Sequence, residues 1–229
     1  MAGMLEGKHV VVTGGTGALG GAVVTRLVAE GATCHVPVHG AKAPDDLPGI
    51  HYAAGVDLTD PGTVDAFYED VGDLWASVHL AGGFTFGKTV EADDDTLEKM
   101  FRMNALTVWL CSRAAARAMA ASGKGGRIVN VAARPALEPR SGSGMVAYAA
   151  SKAAVAAMTQ ALGEELKGSG ILVNAIAPSI LDTPANRADM PKADFSKWVS
   201  LDAAAEAIAF LVSPQNAASC AIVPLYGRA

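Results

Sequence analysis

The sequence predicts an α/β fold: one doubly wound domain on a parallel sheet. Three observations carry that reading. Short, nearly all-apolar segments alternate with helical patterns along the whole chain. Strands of that kind are buried on both faces, as in parallel sheets covered by helices. A glycine-rich turn, Gly-x-Gly-x-x-Gly at Gly15, Gly17 and Gly20, separates the first apolar run from the first helical pattern. No linker, composition shift or internal repeat divides the 229 residues, so a single domain is expected over 1–229.

The elements are read in order. Lys8–Thr13 is a strand, Gly17–Glu30 a helix and Thr33–Val38 a second strand. Ile50–Ala54 is a third strand, followed by a helix over Pro61–Val71. Proline suits that first helical position, because its missing N–H is not needed there. Trp75–Leu80 is a fourth strand, and Asp94–Ala121 reads as one long helix with an apolar, alanine-rich face. Arg127–Ala132 is a fifth strand, Met145–Lys167 a helix and Ile171–Ala177 a sixth strand. A helix over Asp202–Val212 and a strand over Cys220–Pro224 follow.

Composition narrows the function. Hydrophobic residues make up 51% and the net charge is −5 with no basic run, which argues against nucleic acid and anionic membrane as partners. Cys34, Cys111 and Cys220 are scattered in apolar segments without metal-ligand spacing, so no metal is expected and the thiols read as reduced core residues. No signal-peptide pattern precedes Val10, and no apolar run is long enough to span a bilayer. A cytoplasmic location is expected.

In doubly wound sheets ligands bind outside the carboxyl ends of the strands. After the first strand comes Gly14-Gly15-Thr16-Gly17-Ala18-Leu19-Gly20. Its glycines permit a tight turn and bring a pyrophosphate close to the N–H groups opening the helix. After the second strand, the carboxylate that would hold the adenosine ribose of NAD is absent. Val38 stands there, with His39 and Lys42 close behind. That pattern removes repulsion of a 2′-phosphate and favours NADP(H) over NAD(H), although His39 also fits an ordinary loop. Asp57 and Leu58 follow the third strand, placed to bond and cover an adenine, or to cap a turn. Ala81, Gly82 and Gly83 follow the fourth and are small enough to pass beside a cofactor. Pro178, Ile180 and Thr183 follow the sixth, where Thr183 can bond a carboxamide.

Tyr148 and Lys152 lie four residues apart, on one face of a helix. A nearby ammonium favours the phenolate and lowers a tyrosine pKa, so the pair reads as a tuned acid/base. Asn104 sits mid-helix, where asparagine is disfavoured; it is either idle and exposed or has a specific role.

Together these residues resemble the short-chain dehydrogenase/reductase family, in order and spacing, across essentially the whole chain. The resemblance implies a seven-stranded Rossmann fold and nicotinamide hydride transfer to a small molecule. It also implies that Tyr148 is the acid/base, that Lys152 bonds the nicotinamide ribose and that Asn104 holds a water in a proton relay. The family commonly pairs its two long helices, here about 94–121 and 145–168, in homodimers and homotetramers.

Three departures stand out. Ala18 replaces a glycine of the turn, and His79-Leu80-Ala81-Gly82 replaces Asn-Asn-Ala-Gly. Ala133 stands where the family places a catalytic serine, with Ser141 and Ser143 in the following loop as possible substitutes. These departures resemble the dihydropteridine reductase branch, as does the 181–198 segment with Arg187 and Trp198. Arg187 and Trp198 are candidates for substrate contact, or for an ion pair and loop packing. That branch reduces quinonoid dihydropterins, which need little polarisation by a serine. It keeps an acid after the second strand, which Val38 does not supply, and Asn104 resembles the wider family more than the branch. The expected activity is thus NAD(P)H-dependent reduction of a quinonoid or activated carbonyl acceptor. The alternatives are an ordinary carbonyl reductase that tolerates Ala133, and a cofactor-binding sensor with little turnover.

Overall fold

The computed structural model describes residues 3–228. Its centre is a seven-stranded, all-parallel sheet with strand order β3-β2-β1-β4-β5-β6-β7. The strands are β1 (His9–Thr13), β2 (Thr33–Val38), β3 (Ile50–Ala54), β4 (Leu74–His79), β5 (Gly126–Val131), β6 (Ile171–Pro178) and β7 (Ile222–Leu225). The order reverses between β1 and β4, which opens a crevice at their carboxyl ends.

Alternate residues of each strand feed two cores. Val10, Val12, Val36 and Val129 pack under α1 (Ala18–Ala29) and α8 (Leu201–Val212). Val11, Ile128 and Val173 pack under α2 (Pro61–Val71), α4 (Thr107–Ser122) and α6 (Val146–Leu166). With both faces covered, polar side chains were excluded from most strand positions, which is why the runs are so uniformly apolar. Local signals set the helix ends: Asp60 accepts from the Thr63 N–H at 2.8 Å to cap α2, and Ser200 accepts from the Ala203 N–H at 3.2 Å to cap α8.

Two expectations are corrected. The long helix expected over Asp94–Ala121 is three pieces: α3 (Thr96–Met100), a π-helical segment Phe101–Leu106, and α4. The cause lies in the buried tertiary contacts of Asn104, described below. The last strand starts at Ile222, because Cys220 takes a left-handed backbone (φ 59°) that cannot continue a strand. Two short helices, α5 (Arg134–Leu137) and α7 (Pro184–Asp189), occupy stretches read as loop.

One polar chain crosses the second core. Tyr68 of α2 bonds Ser77 at 2.7 Å, Ser77 bonds His79 Nε2 at 2.8 Å, and His79 Nδ1 lies 2.7 Å from Asn130 Oδ1. Asn130 donates to Thr159 of α6 at 3.0 Å, and Thr159 donates to the Val155 carbonyl at 2.8 Å. A neutral His79 carrying its proton on Nδ1 satisfies every member, each hydroxyl or N–H donating in the same direction. Burial pushes the His79 pKa down to about 4, the Asn130 hydrogen bond opposing that shift.

The sign of the pH effect follows from that depressed value. Between pH 6.5 and 4 the unfolded chain binds the His79 proton and the native chain does not, so acidification destabilises the fold. At about 1.4 kcal/mol per pKa unit, the loss approaches roughly 3 kcal/mol. Denaturant titrations from pH 7 to pH 4 should show this decline, and His79→Asn should lack that part of it.

Candidate active site

The glycine turn joins two strand ends before it meets any ligand. Gly14 has φ +68°, a conformation that favours glycine, and a Cβ there would lie 2.8 Å from the Ala81 nitrogen. Thr13 Oγ1 accepts from that same Ala81 N–H at 3.2 Å. The loops after β1 and β4 are thus packed backbone to backbone. Thr16, Gly17 and Ala18 are exposed at the start of α1, where no side chain caps Gly17. Uncapped N–H groups at a helix N-terminus suit a pyrophosphate. Leu19 and Gly20 turn inward and seat the helix.

The next strand end holds the tightest junction of the site. Asn104 is fully buried. Its Oδ1 accepts from the Gly83 N–H at 2.9 Å, and its Nδ2 donates to the Gly83 carbonyl at 3.1 Å and to Ser151 Oγ at 2.9 Å. Ser151 donates in turn to the Tyr148 carbonyl at 2.8 Å. A Cβ at Gly82 would stand 2.5 Å from Asn104 Oδ1 and 3.6 Å from Lys152 Nζ. Only glycine lets the Asn104 amide approach the loop this closely. The π-helical segment adds a residue to the turn around Asn104, a device common at functional sites.

Lys152 is buried, and its Nζ donates to the Val131 carbonyl at 2.7 Å. Burial pushes its pKa down to about 8. Tyr148 is half-buried, and burial pushes its pKa up to about 12. This corrects the expectation that the ammonium lowers the tyrosine pKa. In the chain by itself desolvation dominates, and the ammonium is turned toward Val131. Tyr148 is therefore a protonated donor at neutral pH.

Ala133 follows β5, is buried at 3% exposure and has extended backbone (φ −162°, ψ 162°). Neither loop serine is shown in its place: Ser141 donates to the Glu138 carbonyl at 2.8 Å, and Ser143 is exposed. Two residues that the sequence reading missed stand near Tyr148. The Phe84 ring meets the Tyr148 ring edge-on, centroids 5.0 Å apart, and is 60% exposed. Phe86, also exposed, lies over Gly144, where a Cβ would meet its ring at 2.8 Å. An exposed aromatic directly after a predicted Ala-Gly-Gly loop was the available signal.

At the β2–β3 end, Val38 is half-buried while His39 and Lys42 are exposed. Asp57 Oδ1 accepts from both the N–H and the hydroxyl of Thr59 at 2.8 Å, bonds that hold its pKa below the usual range, with His39 and Arg102 adding smaller effects. Leu58 packs against the second core. Arg102, also missed from sequence, donates to Thr59 at 3.2 Å and adds a cation here.

Beyond β6, Ile180 and Asp182 pair with Val199 (Val199 N–H to Ile180 carbonyl 2.9 Å, Asp182 N–H to Val199 carbonyl 2.8 Å). These bonds clasp the stem of a loop containing α7. Pro178 is buried at its root, and Thr183 caps α7 by accepting from the Asn186 N–H at 3.1 Å, which leaves its hydroxyl proton free. Arg187 and Trp198, candidates for substrate contact, are engaged inside the loop. Arg187 makes a bidentate pair with Asp182 at 2.6 and 2.7 Å and stacks on Phe195 at 4.8 Å. Trp198 is 8% exposed against Phe195, centroids 4.7 Å apart. Both hold the loop's shape in this structure.

Among the described residues no cluster of metal-ligating side chains occurs and no helix is long and apolar enough to cross a membrane. The open helix start, the Gly82 cradle and the buried lysine fit a dinucleotide laid across the switch point.

Comparison with known proteins agrees. The short chain dehydrogenase family model matches residues 8–194. Sorbitol dehydrogenase of Cereibacter sphaeroides is 33% identical over 187 residues, covering 78% of this chain and 72% of the relative. The cyclic-di-GMP-binding biofilm dispersal mediator protein of Escherichia coli K12 is 32% identical over 195 residues, covering 84% and 81%. A short-chain type dehydrogenase/reductase from Mycobacterium ulcerans superposes with a TM-score of 0.87 at 24% identity, covering 98% of this chain and 90% of that one, and so shares the fold. The chain belongs to the short-chain dehydrogenase family and is an NAD(P)-dependent oxidoreductase acting on a small molecule.

Proposed function

We propose that this enzyme reduces a conjugated acceptor, a quinonoid ring or an activated carbonyl, in the manner of dihydropteridine reductases. One observation carries the reading: Ala133 is buried at the serine position while Tyr148, Lys152 and Asn104 are all retained, Asn104 being linked through Ser151 to the Tyr148 carbonyl. A serine there would donate to and polarise a ground-state carbonyl. An acceptor that is already electron-poor needs the proton more than the polarisation. Phe84, exposed and edge-on to Tyr148, suits a planar substrate, since aromatic pairs favour such contacts.

NAD(P)H, when bound, supplies the hydride. The chain supplies its binding and the proton. The N–H groups of residues 14–20 receive the pyrophosphate, Asp57 and Leu58 the adenine, and Ala81, Gly82, Gly83, Pro178, Ile180 and Thr183 the nicotinamide half. Tyr148 gives its proton to the acceptor oxygen or nitrogen. The resulting phenolate is stabilised by the Lys152 ammonium, which opposes the desolvation that otherwise keeps the tyrosine protonated. The Asn104 side chain is spent on Gly83 and Ser151, so the relay water is assigned to its main-chain carbonyl.

The retained acid/base pair argues against a pure sensor, which has no use for one. NADP(H) is the preferred cofactor, because no carboxylate directly follows Val36-Pro37-Val38 and the Arg102 guanidinium adds positive charge near Asp57 and His39. Exposed Phe101, Met103 and Trp109 along the π-helical segment and α4 support a homodimer or homotetramer built on these helices.

Initial rates on quinonoid dihydropterin, a quinone and simple ketones, each with NADPH and NADH, test the reading. The quinonoid acceptors should be fastest, and faster ketone reduction would overturn it. Tyr148→Phe should lower kcat by about 10²–10⁴ with cofactor affinity unchanged. Ala133→Ser should leave quinonoid turnover within twofold; a gain of about 10²–10³ on ketones and quinonoids alike would instead mark a weakened carbonyl reductase. Fluorescence titrations should show NADPH binding tighter than NADH, and Val38→Asp, by restoring a ribose-binding carboxylate, should reverse that order by about tenfold or more.

A further inference from the structure

We infer that Arg134 is a specificity-determining residue that anchors an anionic group on the substrate. The inference rests on the proposed reading only for where the substrate lies.

Arg134 directly follows Ala133 and opens α5. Its side chain leaves the end of β5, and its guanidinium lies 4.8 Å over the ring of Tyr226, just past β7. Strand β6 lies between β5 and β7. The arginine therefore reaches across the carboxyl end of β6, where Pro178, Ser179 and Ile180 lead into the loop over the site. Ser179 anchors the far side of this span: its N–H donates to the Leu225 carbonyl and its hydroxyl to the Tyr226 carbonyl, both at 2.9 Å. The guanidinium thus stands at the carboxyl ends of the strands, the side of the sheet on which ligands bind, and it belongs to the residue after the position that lost its serine.

Its donors are only partly used. Nε donates to Glu138 Oε2 at 2.7 Å. Among the described residues, neither Nη makes a hydrogen bond, and the side chain is 32% exposed. The tyrosine ring and Glu138 fix the plane of the fork from two sides, so the remaining N–H groups are presented in a set direction. A planar fork of that kind matches a carboxylate or a similar oxyanion two bonds at a time, which a lysine cannot do. Glu138 has two effects. It orients the arginine, and it competes with an incoming anion for the same charge.

An i,i+4 brace for α5 is the competing account, and the two differ in sign. A brace is symmetric, so removing either partner does the same harm. An anchor is asymmetric: Arg134→Gln weakens an anionic ligand, and Glu138→Gln frees the fork and strengthens it. The probes are 1-naphthalenesulfonate and neutral 1-naphthol, titrated calorimetrically into the enzyme saturated with NADP⁺. The expected result is a rise of about tenfold or more in the sulfonate Kd for Arg134→Gln, as for loss of a charge-assisted hydrogen bond. A fall of a few fold is expected for Glu138→Gln, with 1-naphthol within twofold throughout. Equal losses in both variants, equal effects on naphthol, or no sulfonate binding to the wild-type enzyme would overturn the inference. Rates on 1,2-naphthoquinone-4-sulfonate and 1,2-naphthoquinone should follow the same pattern. If neither quinone is reduced, the functional reading fails, while the binding data still decide the role of Arg134.

Discussion

The grip of Asn104 on the backbone of Gly83 is the constraint on which the site depends. Two hydrogen bonds tie the helical layer to the loop after β4, and a third passes through Ser151 to the turn of α6 that carries Tyr148. The amide is fully buried, so any unmade bond would leave a polar group stranded at a cost of about 1–3 kcal/mol. That penalty makes the arrangement all or none. It brings Gly82 close to Lys152 and links the loop to the turn of α6 that carries Tyr148, and the amide that does so sits in a π-helical turn.

The same junction sets the electrostatics. Lys152 is held against the Val131 carbonyl in surroundings that disfavour its charge, and Tyr148 in surroundings that disfavour its ionisation. Each group alone is displaced from its ordinary value by burial, and the displacements run in opposite directions. At neutral pH the tyrosine is protonated and the lysine, though its pKa is pushed down to about 8, still mostly carries its charge. A phenolate becomes affordable only when an ammonium faces it, so proton donation and lysine position are coupled by charge.

On the proposed reading, Ala133 fits this arrangement as a choice of substrate. The acid remains, the cradle remains, and what is missing is one donor beside the acceptor. Arg134 follows that gap in the chain and lies over Tyr226, and Arg187, Asp182 and Phe195 close the loop after β6. On the same proposal, specificity moves from the serine position to Arg134.

The sequence by itself determined the layered fold, because apolar strands buried on both faces admit few other arrangements, and the seven strands are present as the family resemblance implied. It also made the glycine turn, the Tyr148–Lys152 spacing and the alanine at position 133 legible, since each is a local pattern. Asn104 was legible as an oddity, an amide where a helix disfavours one. Only tertiary structure decided what that oddity does, because its partners lie 21 and 47 residues away. Tertiary packing also decided the direction of the tyrosine and lysine pKa shifts, since burial cannot be read from spacing. Contacts between distant segments did the rest: they placed Phe84 against Tyr148, drew Arg187 and Trp198 into their own loop, and set Arg134 across the end of β6. Side chains of these types have many possible partners in sequence, and only the packed chain selects one.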